Sequence, residues 1–278
     1  MAKHFILNAD DFGMTKEYNR AVLEGYNNGF LKSASLCANG EGFMAAINDI
    51  LPECPNLGVG VHLNIIEGKS LTKCKYLTDA DGNFNKGYLY FILNQFNKKF
   101  INEVEAEFRA QIEKIKEHTE IDHIDSHVHT HAIPNIFKLT VKLAQEYGIP
   151  NIRTQFEHPY LVPETRKHTN IAFPINLIKL ILLNTFTLIN RKVIKNTNLK
   201  TNDYILGVSY TGMMDSKTVE YGLKALEDGV LAEALIHPCY YTENIVNSHS
   251  TEFLITIDKN LEDKIKRMGY EITNYKQL

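Results

Sequence analysis

Residues 5–13 read Phe-Ile-Leu-Asn-Ala-Asp-Asp-Phe-Gly, and the fold is decided by how this stretch is read. Phe5, Ile6 and Leu7 form a short apolar run of strand type. Asp10 and Asp11 follow where that run ends, and the next segment sets Tyr18, Val22 and Tyr26 on one helical face until Gly29 stops it. The same unit of apolar run, polar rim and amphipathic helix then recurs along the chain. Strands are expected at 33–38, 57–63, 121–127, 151–154, 204–210, 232–236 and 270–273. Helices are expected at 43–50, 101–118, 136–147, 173–194, 218–226 and 260–268. In 101–118 the stripe Val104, Phe108, Ile112 and Ile115 faces inward, and Gly148 with Pro150 closes the helix before it. Alternation of this kind implies an α/β fold with parallel strands and right-handed crossovers.

Composition agrees. The chain has 278 residues, 44% hydrophobic and 23% charged, with 30 Lys and Arg against 33 Asp and Glu. That length and composition suit one large globular domain over 1–278, with a loop insertion near 67–97 and a second insertion near 160–200. The net charge of −3 gives no basic face, so no nucleic-acid partner is expected. Cys37, Cys54, Cys74 and Cys239 form no CxxC pair, which points to buried thiols in a reducing cytoplasm and away from a thiolate zinc site. The start MAKHFILNADDFG turns polar too soon for a signal peptide. Residues 173–194 are apolar enough to suggest a membrane span. Asn176, Lys179, Asn184 and Asn190 interrupt them, and a charge near mid-span costs about 2.5–3.5 kcal/mol, so no stable membrane insertion is expected.

The chemically active side chains fall at the carboxyl ends of the expected strands. They are Asp10 and Asp11, His62 after LGVGV, Asp125 to His131 (DSHVHTH), Arg153, and His237 after LAEALI. Parallel strands bring these ends to one face, where barrel enzymes build their sites. Taken singly, each residue has a plain reading: Asp-Asp as a turn or helix cap, His62 or His237 as a rim histidine, Arg153 as an ion-pair partner. Together they bring acid, imidazole and guanidinium to one rim. Adjacent Asp10 and Asp11 point differently, so one can bind a metal while the other reaches a water. On an extended segment His127, His129 and His131 would share one face. Mixed imidazole and carboxylate suit a divalent ion with open positions for water. No GxSxG elbow, phosphate loop or dinucleotide fingerprint is present.

NADDFG, GVGVHLN, HIDSHVHTHAIP and the late LIHP, in this order, resemble the YdjC/ChbG-like carbohydrate deacetylases, over nearly the whole chain from Phe5 to about Gly269. That resemblance implies a single, irregular (β/α) barrel of TIM-barrel type, related to the polysaccharide deacetylase barrel. It implies a cytoplasmic, metal-dependent and often dimeric enzyme that removes the acetyl group from N-acetylated sugars such as chitooligosaccharides. It makes Asp11, His62 and His127 the metal ligands, Asp10 the general base and His237 the general acid. Arg153 then orients Asp10 or contacts substrate, and Asp125, His129 and His131 act behind the ligands or on the substrate. The family is commonly associated with Mg²⁺, whereas the ligand softness favours Zn²⁺, Mn²⁺ or Co²⁺. The chain departs from many relatives in HPCYY, where they carry a small residue after HP; Cys239 and Tyr240 are therefore expected to reshape the pocket. Barrel amidohydrolases and phosphoesterases are the alternative, but they usually open with HxH on the first strand. A non-catalytic sugar-binding barrel is the remaining reading.

Overall fold

The computed structural model describes residues 3–163, 168, 172–243 and 245–278; parts of the expected 160–200 insertion lie outside them. Eight strands alternate with helices: β1 Lys3–Phe12, β2 Ser33–Leu36, β3 Gly58–Leu63, β4 His123–Ser126, β5 Asn151–Ile152, β6 Tyr204–Leu206, β7 Leu231–Ile236 and β8 Tyr270–Ile272. All ladders are parallel, in the order β5-β4-β3-β2-β1-β7-β6. The eighth strand pairs Lys3–Phe5 of β1, while β2 takes the same edge further on, from Asn8 to Phe12.

The expected closed barrel is corrected to an open, curled sheet. No ladder joins β5 to β6 among the described residues; a single bridge, Asn151 with Lys200, approaches the gap. The physical reason is that both edge strands are very short. After Ile152 the chain turns irregular, and Gly207 at φ +130 ends β6 four residues earlier than the 204–210 reading allowed.

The helices bury what the sequence pattern assigns to them. In Lys98–Lys116, Phe100, Val104, Phe108, Ile112 and Ile115 pack inward together with Glu107. The Glu107 carboxylate accepts from the Leu71 and Thr72 backbone N–H groups and the Thr72 hydroxyl, which ties the 67–97 insertion to this helix. The helix Phe173–Ile194 is long and apolar enough to cross a membrane by length and composition alone. Its buried side includes Asn176 and Asn190, which donate to the Thr211 and Ala132 carbonyls. Partly buried Asn184 donates to the Glu157 carbonyl. Its outward side carries Ile175, Ile178 and Ile181, each about two-thirds exposed.

Candidate active site

Strand β1 slips register between Ala9 and Phe12, the position of Asp10 and Asp11. A bulge of this kind re-aims side chains at a strand end. Here Asp11 takes φ +64, a conformation uncommon for a residue with a side chain. The two neighbouring carboxylates therefore part company. Asp11 faces a cleft of about 330 Å³ lined also by Tyr18, Glu67, His127, Thr211 and His237. Asp10 is buried and receives Arg153 in a two-pronged bond, with both oxygens at 2.7 Å.

Asp11, His62 and His127 can each offer one atom to a common ion, all within 4.8 Å of one another. His127 Nδ1 lies 2.8 Å from Asp11 Oδ1. His62 Nε2 lies 3.3 Å from the same oxygen, buried and without a hydrogen-bond partner. Its other nitrogen, Nδ1, meets Asp125 Oδ1 at 2.7 Å. A histidine held at one nitrogen by a carboxylate, with the other aimed at an acid, is the arrangement of a metal-binding imidazole. The residues therefore fit a divalent ion. A second grouping of Asp10, His62 and Asp125 is also close enough, but Arg153 already occupies both of its carboxylates.

Charge around the site favours cations. Burial alone would raise the Asp11 carboxyl, but His127 and His62 hold it well below the usual carboxylate range. Burial likewise opposes charge on the two imidazoles. Asp125 and Asp10 nevertheless push His62 up to about 10, and Asp11 pushes His127 up to about 9.

Arg153 is fully buried and bound by three carboxylates: Asp10, Asp125 at 2.8 Å and Glu233 at 2.6 Å. Fully enclosed among these acids, it stands behind Asp10 and does not line the cleft. His237 Nδ1 sits 3.2 Å from Glu252, a bond that raises the imidazole pKa against the effect of burial. That leaves Nε2 as its free nitrogen, and the side chain remains partly exposed at the cleft.

The expected shared face of His127, His129 and His131 is corrected. The strand ends at Ser126, and a 3₁₀ segment His127–Ala132 follows, with Val128 and His129 in the left-handed region. This turn sends the three rings apart. His131 is buried between Ser126 and the Arg153 carbonyl, and burial lowers it to about 4. His129 is also buried, held well below the usual range by burial and by Lys179. Neither lines the cleft. Tyr240 lies over Arg20 and lines a neighbouring cleft with Lys16 and Glu17, while Cys239 is buried.

Sequence reasoning passed over Ser35, Glu233, Glu252 and Tyr275. Glu233 had a signal: an acid in the middle of LAEALI, inside an apolar strand, needs a buried cation. Tyr275, whose hydroxyl donates to Glu233 at 2.5 Å, had none.

The class these features define is an open, parallel α/β sheet whose carboxyl rim gathers Asp, His and His, a donor set able to hold a metal ion. The family model of the YdjC-like proteins matches residues 4–267, and the chain belongs to that family. Carbohydrate deacetylases of Brevibacillus brevis and Thermoanaerobacter pseudethanolicus are each 28% identical to it, over 98% of both chains. A carbohydrate deacetylase of Clostridium beijerinckii is 38% identical over 147 residues, 52% of this chain and 58% of its own. Among solved structures, an Enterococcus faecalis protein named for cellobiose-phosphate cleavage superposes with a TM-score of 0.73. It is 22% identical, over 100% of this chain and 99% of its own, and shares the fold.

Proposed function

We propose that this protein is a metal-dependent carbohydrate deacetylase that removes the N-acetyl group from an N-acetylated sugar or short chitooligosaccharide and releases acetate. The observation that carries the reading is the orphaned His62 Nε2, aimed at Asp11 and His127 beside a paired Asp10. Family membership and two full-length relatives that are carbohydrate deacetylases support it.

In this reading Asp11, His62 and His127 hold one divalent ion, with Zn²⁺, Mn²⁺ or Co²⁺ favoured by the imidazoles and Mg²⁺ by the family resemblance. When bound, such an ion polarises the acetamide carbonyl and makes water more acidic. Asp10, fixed by Arg153 and by Asn8 at 2.8 Å, takes the proton of the attacking water. Asp125 holds the His62 ring in place. His237 Nε2 gives a proton to the departing amine while Glu252 stabilises the imidazolium on the far side. His129 and His131 support the turn that carries His127. The protein works in the cytoplasm on an uncharged sugar, without nucleic acid or membrane insertion, as a homodimer. The near-neutral charge and the inward-facing asparagines of Phe173–Ile194 are consistent with this.

The test is acetate release from N-acetylglucosamine and its di- to pentamers, before and after chelation. Release that stops on chelation and returns with Co²⁺ or Zn²⁺ is expected. Full activity in the chelated protein would overturn the metal assignment, and no release from any of these sugars would overturn the substrate class.

A further inference from the structure

Beneath the site lies a buried imidazole that the reaction does not use. His123 opens β4 and is wholly enclosed. Its ring stacks on Tyr275 at 4.3 Å. It also lies flat against Gly60 of β3, where a Cβ would come within 2.3 Å of it. This explains a glycine in the middle of GVGVHL: the strand gives up a side chain to admit the ring.

Both ring nitrogens are engaged. Nδ1 is 2.5 Å from Asp122 Oδ1, and Nε2 is 3.0 Å from Ser35 Oγ. Ser35 has one proton to give, and the distance of 2.6 Å to Asp125 Oδ2 shows where it goes. The same Oδ2 lies 2.8 Å from Arg153 Nη2, and a guanidinium has only protons to give, so that oxygen is an acceptor. Asn8 Nδ2 donates to the same hydroxyl at 2.8 Å. The hydroxyl can therefore only accept from His123, so Nε2 carries a proton. Asp122 sets Oδ1 2.5 Å from Nδ1 and turns its other oxygen to the Val59 N–H at 3.0 Å, and with the surrounding acids raising the ring against burial, Nδ1 carries a proton as well.

We infer that His123 is a fixed imidazolium and a positioning residue, acting through Ser35 and Asp125 on the metal ligand His62. Every proton in the chain Asp122–His123–Ser35–Asp125–His62 then points one way. Asp125 Oδ2 is filled by Ser35, which leaves Oδ1 to take the His62 Nδ1 proton and Nε2 to face the ion. The charged groups around the ring are Asp122, Asp125 and Glu233, all acidic, and they raise it against the effect of burial. The inference rests on the reading of His62 as a ligand, but its first test does not.

That test is nitrogen–proton NMR of the metal-free protein labelled at histidine. His123 should show two protonated nitrogens between about pH 6 and 8. A ring with one bare nitrogen at pH 7 would overturn the inference. The His62 Nδ1 proton should move by the same amount in His123→Asn and Ser35→Ala, and no more in the double variant. An unmoved resonance would remove the positioning role. Co²⁺ titration, followed by its visible absorption, should show affinity falling roughly tenfold in each variant, the low end of the loss usual for an outer partner, and no further in the double. Additive losses would mean that the two residues act separately. A wild-type protein that takes up no Co²⁺ would sink the metal reading alone, and the proton resonances would still decide the part played by His123.

Discussion

Asp10 and Asp11 are neighbours in the chain with opposite surroundings. Asp10 is clamped by a guanidinium, and Asp11 faces imidazoles and open space. Substitution should separate them. Asp11→Asn is expected to abolish Co²⁺ binding and activity together. Asp10→Asn should keep Co²⁺ affinity within a few-fold while kcat falls by about 10²–10⁴, the usual range for a lost general base. Isothermal titration beside acetate release checks both, and equal loss of binding in the two variants would contradict the division of roles. The ligand imidazoles also predict a pH dependence. His62 and His127 each carry a proton below about 9 to 10, and an ion must displace both. Apparent affinity should therefore climb with pH, by up to about 100-fold per unit in the neutral range. A flat affinity between pH 6 and 8 would show that the imidazoles are not the ligands.

At the scale of elements, the strands and the residues at their ends were legible, while the turns were not. A short apolar run ending in acid or imidazole announces a strand terminus, and five of these termini carry the site. The 3₁₀ turn after Ser126 escaped because DSHVHTH alternates as a strand would; the left-handed backbone at Val128 and His129 follows from tertiary packing. Open edges escaped for a similar reason, since strand length depends on partners that lie far away in sequence. Glu157 illustrates what such irregular segments need. It lies beyond β5, fully buried, and its carboxylate accepts from the Gly207 and Ser209 N–H groups and the Ser209 hydroxyl. Burial raises it to about 7 from an ordinary 4.5. A carboxyl raised in the folded state lends stability that is complete below about pH 4.5 and is lost as pH rises through 7. The difference is at most about 3 kcal/mol, at 1.36 kcal/mol per unit. Thermal unfolding of the wild type should show that slope between pH 5 and 7, and Glu157→Gln should lack it. Parallel curves for the two proteins would place the charge elsewhere.

At the scale of the whole molecule, the helix Phe173–Ile194 seats Asn176 and Asn190 beside Leu180, Leu183 and Phe186 on its buried side and turns Ile175, Ile178 and Ile181 outward. If a second copy covers this face, as the proposed dimer requires, the wild type should sediment at twice the chain mass. Ile178→Ser combined with Ile181→Ser should then give a monomer with acetate release retained. A dimer that survives both changes would locate the contact on another surface. The sheet also carries a consequence for how the chain is made. Its first strand, β1, lies inside the sheet and is flanked by β7 and β8, which are built from residues 231–236 and 270–272. Contacts of such long sequence separation slow folding. In a nascent chain emerging at about 5–20 residues per second, β2 is at hand early for the Asn8–Phe12 end of β1, whereas the edge from His4 to Ala9 waits many seconds for β7. Glu233 comes with that late strand and completes the ring of acids around Arg153, so the clamp that fixes Asp10 is closed only near the end of synthesis.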